Sequence, residues 1–171
     1  MTTPSSPQGD DGSRWLSDEE QRVWQSYLHG TLLLEDHLDR QLQRDAGLPH
    51  IYYALLVHLS HAPDMSLRMT ELAKGIKITR SRLSHAISRL EASGWVRRED
   101  CSSDRRGQLA CLTQSGLAKL RESAPGHVAA VRQGLFDRLS PEQVVQLGEI
   151  MRAMTAGLEP ESRGADLPWR R

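Results

Sequence analysis

The chain has 171 residues, of which 38% are hydrophobic, 26% charged and 5% aromatic; this suits one globular domain with a real core and excludes a disordered or fibrous chain. Lysine plus arginine equals aspartate plus glutamate at 22 each, so the net charge points to no polyanionic partner. No apolar run approaches the roughly 18 residues of a membrane span, the opening MTTPSSPQGDDGS lacks the basic and apolar regions of a signal peptide, and the two cysteines, Cys101 and Cys111, form no secreted disulfide framework. A cytoplasmic protein with no membrane partner is expected.

Residues 1–14 read as a disordered tail. Ser17 followed by Asp18, Glu19 and Glu20 is an N-cap with acids in the first turn, where the helix dipole favours negative charge. The helix it starts runs to about Ala46, because Gly47 and Pro49 are the first stop signals. Its apolar residues, from Val23 and Trp24 to Leu38 and Leu42, cover two faces, so it packs on its own domain and on something else.

LPHIYYALLVHLSHA gives a second, buried helix with Pro49 near its first turn, ended by Pro63 and Asp64. TELAKGI reads as a short helix capped by Thr70. ITRSRLSHAISRLEASG follows at once, with Thr79 as N-cap, Leu83, Ile87 and Leu90 spaced i, i+4, i+7, and Gly94 as the stop. Its other face carries Arg80, Ser81, Arg82, Ser84, His85, Ser88 and Arg89.

Beyond Gly94 the pattern shortens to strand length, with WVRRE, a polar turn and QLACLT predicting a hairpin whose tip is CSSDRRGQL. From Thr113 the chain is helical again. Pro125 with Gly126 should kink or interrupt that helix before an apolar stripe of Val128, Val131, Leu135 and Leu139. Ser140 caps a last helix, where Val144, Leu147, Met151, Met154 and Leu158 make a narrow seam suited to another helix. Residues 159–171 show no period and read as a mobile tail.

The neutral total hides an uneven distribution: between Arg68 and Arg106 there are ten basic residues against five acidic ones. A short helix, a tight connection, a second helix with a polar and basic face and then a basic hairpin form a winged helix-turn-helix arrangement. A helix fits the major groove of B-DNA, where arginine pairs with guanine and serine contacts either base type. A loop tipped with arginine fits the narrower minor groove, whose negative potential attracts guanidinium. Arg105 and Arg106 are the candidate finger, and Gly107 lets the backbone turn close to the duplex.

YALLVHLSHA, MTELAKGIKITRSRLSHAISRLEASGWVRRE and DRRGQLACLTQSG, in this order and spacing, resemble the MarR family of bacterial transcription regulators. The spacing of Asp104, Arg106 and the Leu112–Thr113 pair is similar to the family's wing signature. The resemblance implies a mainly α fold with a small β-hairpin wing: an N-terminal dimerisation helix over 15–47, a winged helix-turn-helix DNA-binding lobe over 48–113 and C-terminal dimerisation helices over 114–158. It implies a homodimer that binds a pseudo-palindromic operator in double-stranded DNA, within a family whose members often repress and many of which release DNA when a small, frequently anionic aromatic molecule, an oxidant or a metal binds. A ligand-responsive repressor with a small aromatic or anionic effector and no cofactor is expected here. By position, Arg80, Ser81, Arg82, Ser84, His85 and Arg89 match the recognition helix, and Asp104, Arg105 and Arg106 the wing.

Trp24, Tyr52 and Tyr53 are the candidates to line an effector pocket. His29, His37, His50, His58 and His61 enrich the first half in imidazole, but their spacing supplies no ligand set, so no metal is expected. Two alternatives stay open: a thiol switch, if Cys101 or Cys111 is exposed beside the wing arginines, and a winged-helix module that binds protein and not DNA. No GxSxG, P-loop, HExxH or Rossmann fingerprint occurs, so no enzyme is expected.

Overall fold

The computed structural model describes residues 14–101 and 107–158, so the wing tip and, but for Arg14, the two expected tails lie outside the described residues. The chain divides into two compact units, residues 1–37 and 38–171. In the first, helix α1 (Asp18–Ala46) begins on a reciprocal cap. The Glu20 N–H donates to Ser17 Oγ at 3.2 Å and the Ser17 N–H to Glu20 Oε2 at 2.7 Å. Trp24 stacks on Tyr27 with ring centroids 5.9 Å apart, and Val23, Leu28, Leu32 and Leu33 are exposed beside them.

The second unit holds the end of α1, then α2 (His50–His61), β1 (Ser66–Arg68), α3 (Met69–Ile76), α4 (Arg80–Ala92), β2 (Val96–Asp100), β3 (Gln108–Leu112), α5 (Gln114–Gly134) and α6 (Pro141–Leu158). Its core is Leu42, Leu48, Leu55, Leu56, Leu59, Leu72, Leu83, Ile87, Leu90 and Val96, all almost fully buried. The predicted periods supply these residues: Leu83, Ile87 and Leu90 are the inner face of α4. The fold is mainly helical with a small antiparallel sheet, as the pattern predicts.

That sheet has three strands in the order β1-β3-β2, one more than the expected hairpin. Ser66 pairs with Cys111 and Arg68 with Leu109, while Val96 pairs with Leu112 and Asp100 with Gln108. A three-residue strand carries no period of its own and exists only through its partner. Pairing keeps Arg68 extended up to the helix, so α3 starts at Met69 and Thr70 lies within the first turn, not at the cap.

Two further expectations are corrected. Helix α5 runs unbroken through Pro125, because Leu120, Ser123 and Ala130 are buried on both sides of it and outweigh the roughly 3 kcal/mol proline cost. Gly126 lets α5 come close to α1, where a Cβ would lie 3.1 Å from Gln41 Nε2. The stripe through Val128 and Leu139 is not one helical face. Helix α5 stops at Gly134, and a 3₁₀ turn over Phe136–Arg138 follows, closed by Arg132 on Asp137 at 2.6 Å and Arg138 Nε on the Gln133 carbonyl at 2.9 Å.

Helix α6 begins on a second reciprocal cap, Ser140 with Gln143, and none of its residues is fully buried in the single chain. No helix among the described residues is long and apolar enough to cross a membrane.

Candidate nucleic-acid interface

The connection between α3 and α4 sets the presentation of the basic face. Lys77 takes the left-handed conformation at φ 57°, and its N–H bonds back to the Ala73 and Lys74 carbonyls. Lysine in this region is mildly strained, and the Ile78 N–H on the Ala73 carbonyl at 3.1 Å helps hold it. Thr79 then caps α4, its Oγ1 accepting from the Arg82 N–H at 3.3 Å.

Leu83, Ala86, Ile87 and Leu90 are buried, which turns Arg80, Ser81, Arg82, Ser84, His85 and Arg89 out as one exposed face. Among the described residues, none of Arg80, Arg82 and Arg89 is in an ion pair, so three guanidinium groups are available to an anion.

Hollows flank this helix on either side. One of about 340 Å³ is lined by Arg68, Thr70, Arg80, Ser84 and the wing stem at Gly107 and Gln108. The other, of about 450 Å³, lies among Ile51, Tyr52, Ile78, Ser81, Arg82 and His85. Strands β2 and β3 carry the wing, and the Cys101 N–H donates to the Gly107 carbonyl at 2.9 Å across its stem. Asp104, Arg105 and Arg106 lie outside the described residues.

Arg97 and Arg98, adjacent in sequence, have opposite fates. Arg97 is exposed and held by Glu99 at 2.6 Å. This hydrogen bond lowers the Glu99 carboxyl from its ordinary range and raises the Arg97 guanidinium. Arg98 turns inward onto α4, meeting Ser84, Ser88 and Glu91. The sequence reading counts Arg98 only as one more positive charge; the spacing of Ser84, Ser88 and Glu91 on one stripe is the signal that could have found its partners.

The thiol switch needs an exposed cysteine, and the structure buries both. Cys101 is 8% and Cys111 2% accessible. Cys111 sits on the central strand opposite Ser66 and Arg97. Burial pushes its thiol above the ordinary range, and the Glu99 carboxylate adds to this against a hydrogen bond with Ser66. A thiol so placed is a poor nucleophile.

Tyr52 and Tyr53 do not share a pocket. Tyr52 lines the hollow beside Arg82 and His85, whereas Tyr53 lines a separate one of about 350 Å³ with His50, Ala54, Val57, His58 and His127. Adjacent positions on a helix point about 100° apart, which the sequence reading overlooks. Trp24 belongs to the other unit, stacked on Tyr27. Among the described residues no group of three or more His, Cys, Asp or Glu could hold a metal ion.

Burial holds the His58 imidazole below its usual 6.5, with His61 adding to the effect. The neutral ring packs at 3.4 Å from the position a Cβ would take on Gly75. Since the unfolded chain takes up this proton more readily, the stabilisation is fully present above about pH 6.5 and is lost as pH falls through the lower folded value. His58→Leu is therefore expected to flatten the decline of thermal stability between about pH 7.5 and 5, as measured by circular dichroism melting; parallel wild-type and variant curves would refute it.

A family model described as MarR family matches residues 46–107. The HTH-type transcriptional repressor YetL of Bacillus subtilis is 30% identical over 112 residues, which cover 64% of this chain and 67% of YetL. Sco3205, a MarR family transcriptional regulator from Streptomyces coelicolor solved in complex with DNA, is 67% identical with a TM-score of 0.82, covering 93% of this chain and all of that one. AbsC, a MarR family transcriptional regulator from the same organism, is 42% identical with a TM-score of 0.79, covering 85% and 98%.

Proposed function

The chain belongs to the MarR family of transcriptional regulators and is not an enzyme, and from that premise we propose that it binds double-stranded DNA as a homodimer and represses transcription from a pseudo-palindromic operator. The single observation that carries this reading is the exposed face of α4, with three arginines that are in no ion pair among the described residues, beside the stem of a wing. Helix α4 reads base edges in the major groove through Arg80, Ser81, Arg82, Ser84, His85 and Arg89. The wing, with Asp104, Arg105 and Arg106, anchors on the backbone and minor groove. Sco3205, which shares two thirds of its residues with this chain, was solved bound to DNA, and YetL is a repressor.

Residues 15–47 and 114–158 supply the dimer base. Val23, Trp24, Tyr27, Leu32 and Leu33 on α1 are exposed in one chain, as are Val145, Ile150 and Leu158 on α6, and each is an apolar surface that a second copy would cover. A small aromatic or anionic effector releases the DNA. The hollow at Tyr53, His50, His58 and His127 suits such a ring, since aromatic faces stack on it and imidazole N–H groups meet an acid.

The deciding experiment is footprinting on the DNA upstream of the chain's own gene at two salt concentrations. Protection of two half-sites about 10 bp apart is expected, with affinity falling about 10³- to 10⁵-fold between roughly 50 and 200 mM salt. No affinity for any duplex, even at low salt, would overturn the reading in favour of a protein-binding module.

A further inference from the structure

We infer that Arg98 is a positioning residue that fixes the wing against the recognition helix without itself touching DNA; the inference rests on the DNA-binding reading above. Among the described residues strand β2 is an edge of the sheet, paired only with β3, so its other side needs a separate hold. Arg98 supplies it. One guanidinium nitrogen donates to the Ser84 carbonyl and to Ser88 Oγ, both at 2.9 Å. The other lies 3.3 Å from Glu91 Oε2, and the Arg98 backbone N–H donates to Glu91 Oε1 at 3.0 Å.

Ser84, Ser88 and Glu91 recur at i, i+4, i+7, so one residue of the wing strand grips two turns of α4 along a single stripe. The side chain is 24% accessible against 60% for Arg97, which faces the opposite side of the strand. Partial burial protects the Glu91 pair from the screening that weakens an exposed ion pair. The planar fork of arginine matches a carboxylate and a carbonyl together, a geometry that lysine cannot copy.

Gripping matters because α4 and the wing must meet different grooves of one duplex at once. A wing that swings freely spends part of its binding free energy on ordering. Ser88 is thereby also explained: it is exposed on α4, yet its hydroxyl accepts from Arg98 and donates to the Ser84 carbonyl at 3.0 Å.

The test is a salt titration of affinity for the footprinted duplex, at a temperature where circular dichroism shows every protein folded. Full-length wild type, Arg98→Ala, Arg98→Lys and Glu91→Ala are compared with Arg106→Ala. Arg98→Ala and Glu91→Ala are expected to bind about tenfold more weakly, with Arg98→Lys between them and wild type, and all three with the wild-type slope of log affinity against log salt. Arg106→Ala should lose about 0.9 of that slope, the contribution of one phosphate contact. A similar slope loss in Arg98→Ala would make it a contact residue and overturn the inference, as would unchanged affinity in the folded variants. Should Arg98→Ala fail to fold, Glu91→Ala carries the same expectations with the arginine left in place. Absence of duplex binding by wild type would overturn the DNA-binding reading itself, whereas normal wild-type binding with indifferent variants overturns only the role of Arg98.

Discussion

Gly116→Ala is expected to destabilise the chain by about 3 kcal/mol, the upper end of what overpacking costs. A methyl group there would land on the Trp95 carbonyl oxygen, with Leu112 Cδ1 at 2.8 Å and the Trp95 carbonyl carbon at 2.9 Å. Backbone cannot rotate away as a long side chain can, and this backbone is pinned. Trp95 accepts the Thr113 N–H at 3.0 Å, while Thr113 and Ser115 hydroxyls both donate to the Gly94 carbonyl at 2.7 Å. The Gly116 N–H meanwhile caps onto Thr113 Oγ1 at 3.0 Å. Relief would have to come from sliding the start of α5 off the turn that joins α4 to β2, and the wing would move with it. Urea denaturation followed at 222 nm measures the loss, and a cost below about 1 kcal/mol would show that this junction yields cheaply.

The second large effect divides the interface into reading and anchoring. Arg82→Ala or Arg89→Ala should each weaken operator binding by about 1–3 kcal/mol, roughly 5- to 150-fold, and relax the preferred sequence at the position read. Arg106→Ala should weaken binding to operator and random duplex alike, because a minor-groove or backbone contact carries little sequence information. The measurement is a panel of operator variants titrated against each protein. Equal losses on every sequence for all three variants would refute the division. Arg82 also lines the hollow that holds Tyr52, so one side chain belongs both to the exposed face of α4 and to a cavity beside it.

Much of this molecule is legible along the chain. Ser17, Thr79, Thr113 and Ser140 each mark a helix start that the structure places there. The spacing of Leu83, Ile87 and Leu90 decides which face of α4 is buried, and so which side chains are left outside. These are short-range signals. A cap acts within three or four residues and contributes about 1 kcal/mol, and a helical period marks which face will be buried before its packing partner is known.

Other features depend on partners far away in sequence, and only the tertiary structure decided them. Ser66–Arg68 becomes a strand because β3 lies beside it, more than 40 residues on. Cys111 is buried because that pairing puts it in the middle of the sheet. Pro125 stays helical because residues on both sides of it are buried. Arg97 and Arg98 carry the same charge at neighbouring positions, yet strand alternation sends one to solvent and the other onto α4. The sequence by itself determined most helix starts, the inner face of α4, its basic outer face and the family. Burial and long-range pairing decided which arginine binds protein, which thiols are closed off and which tyrosine meets which hollow, since those free energies exist only once distant residues have been brought into contact.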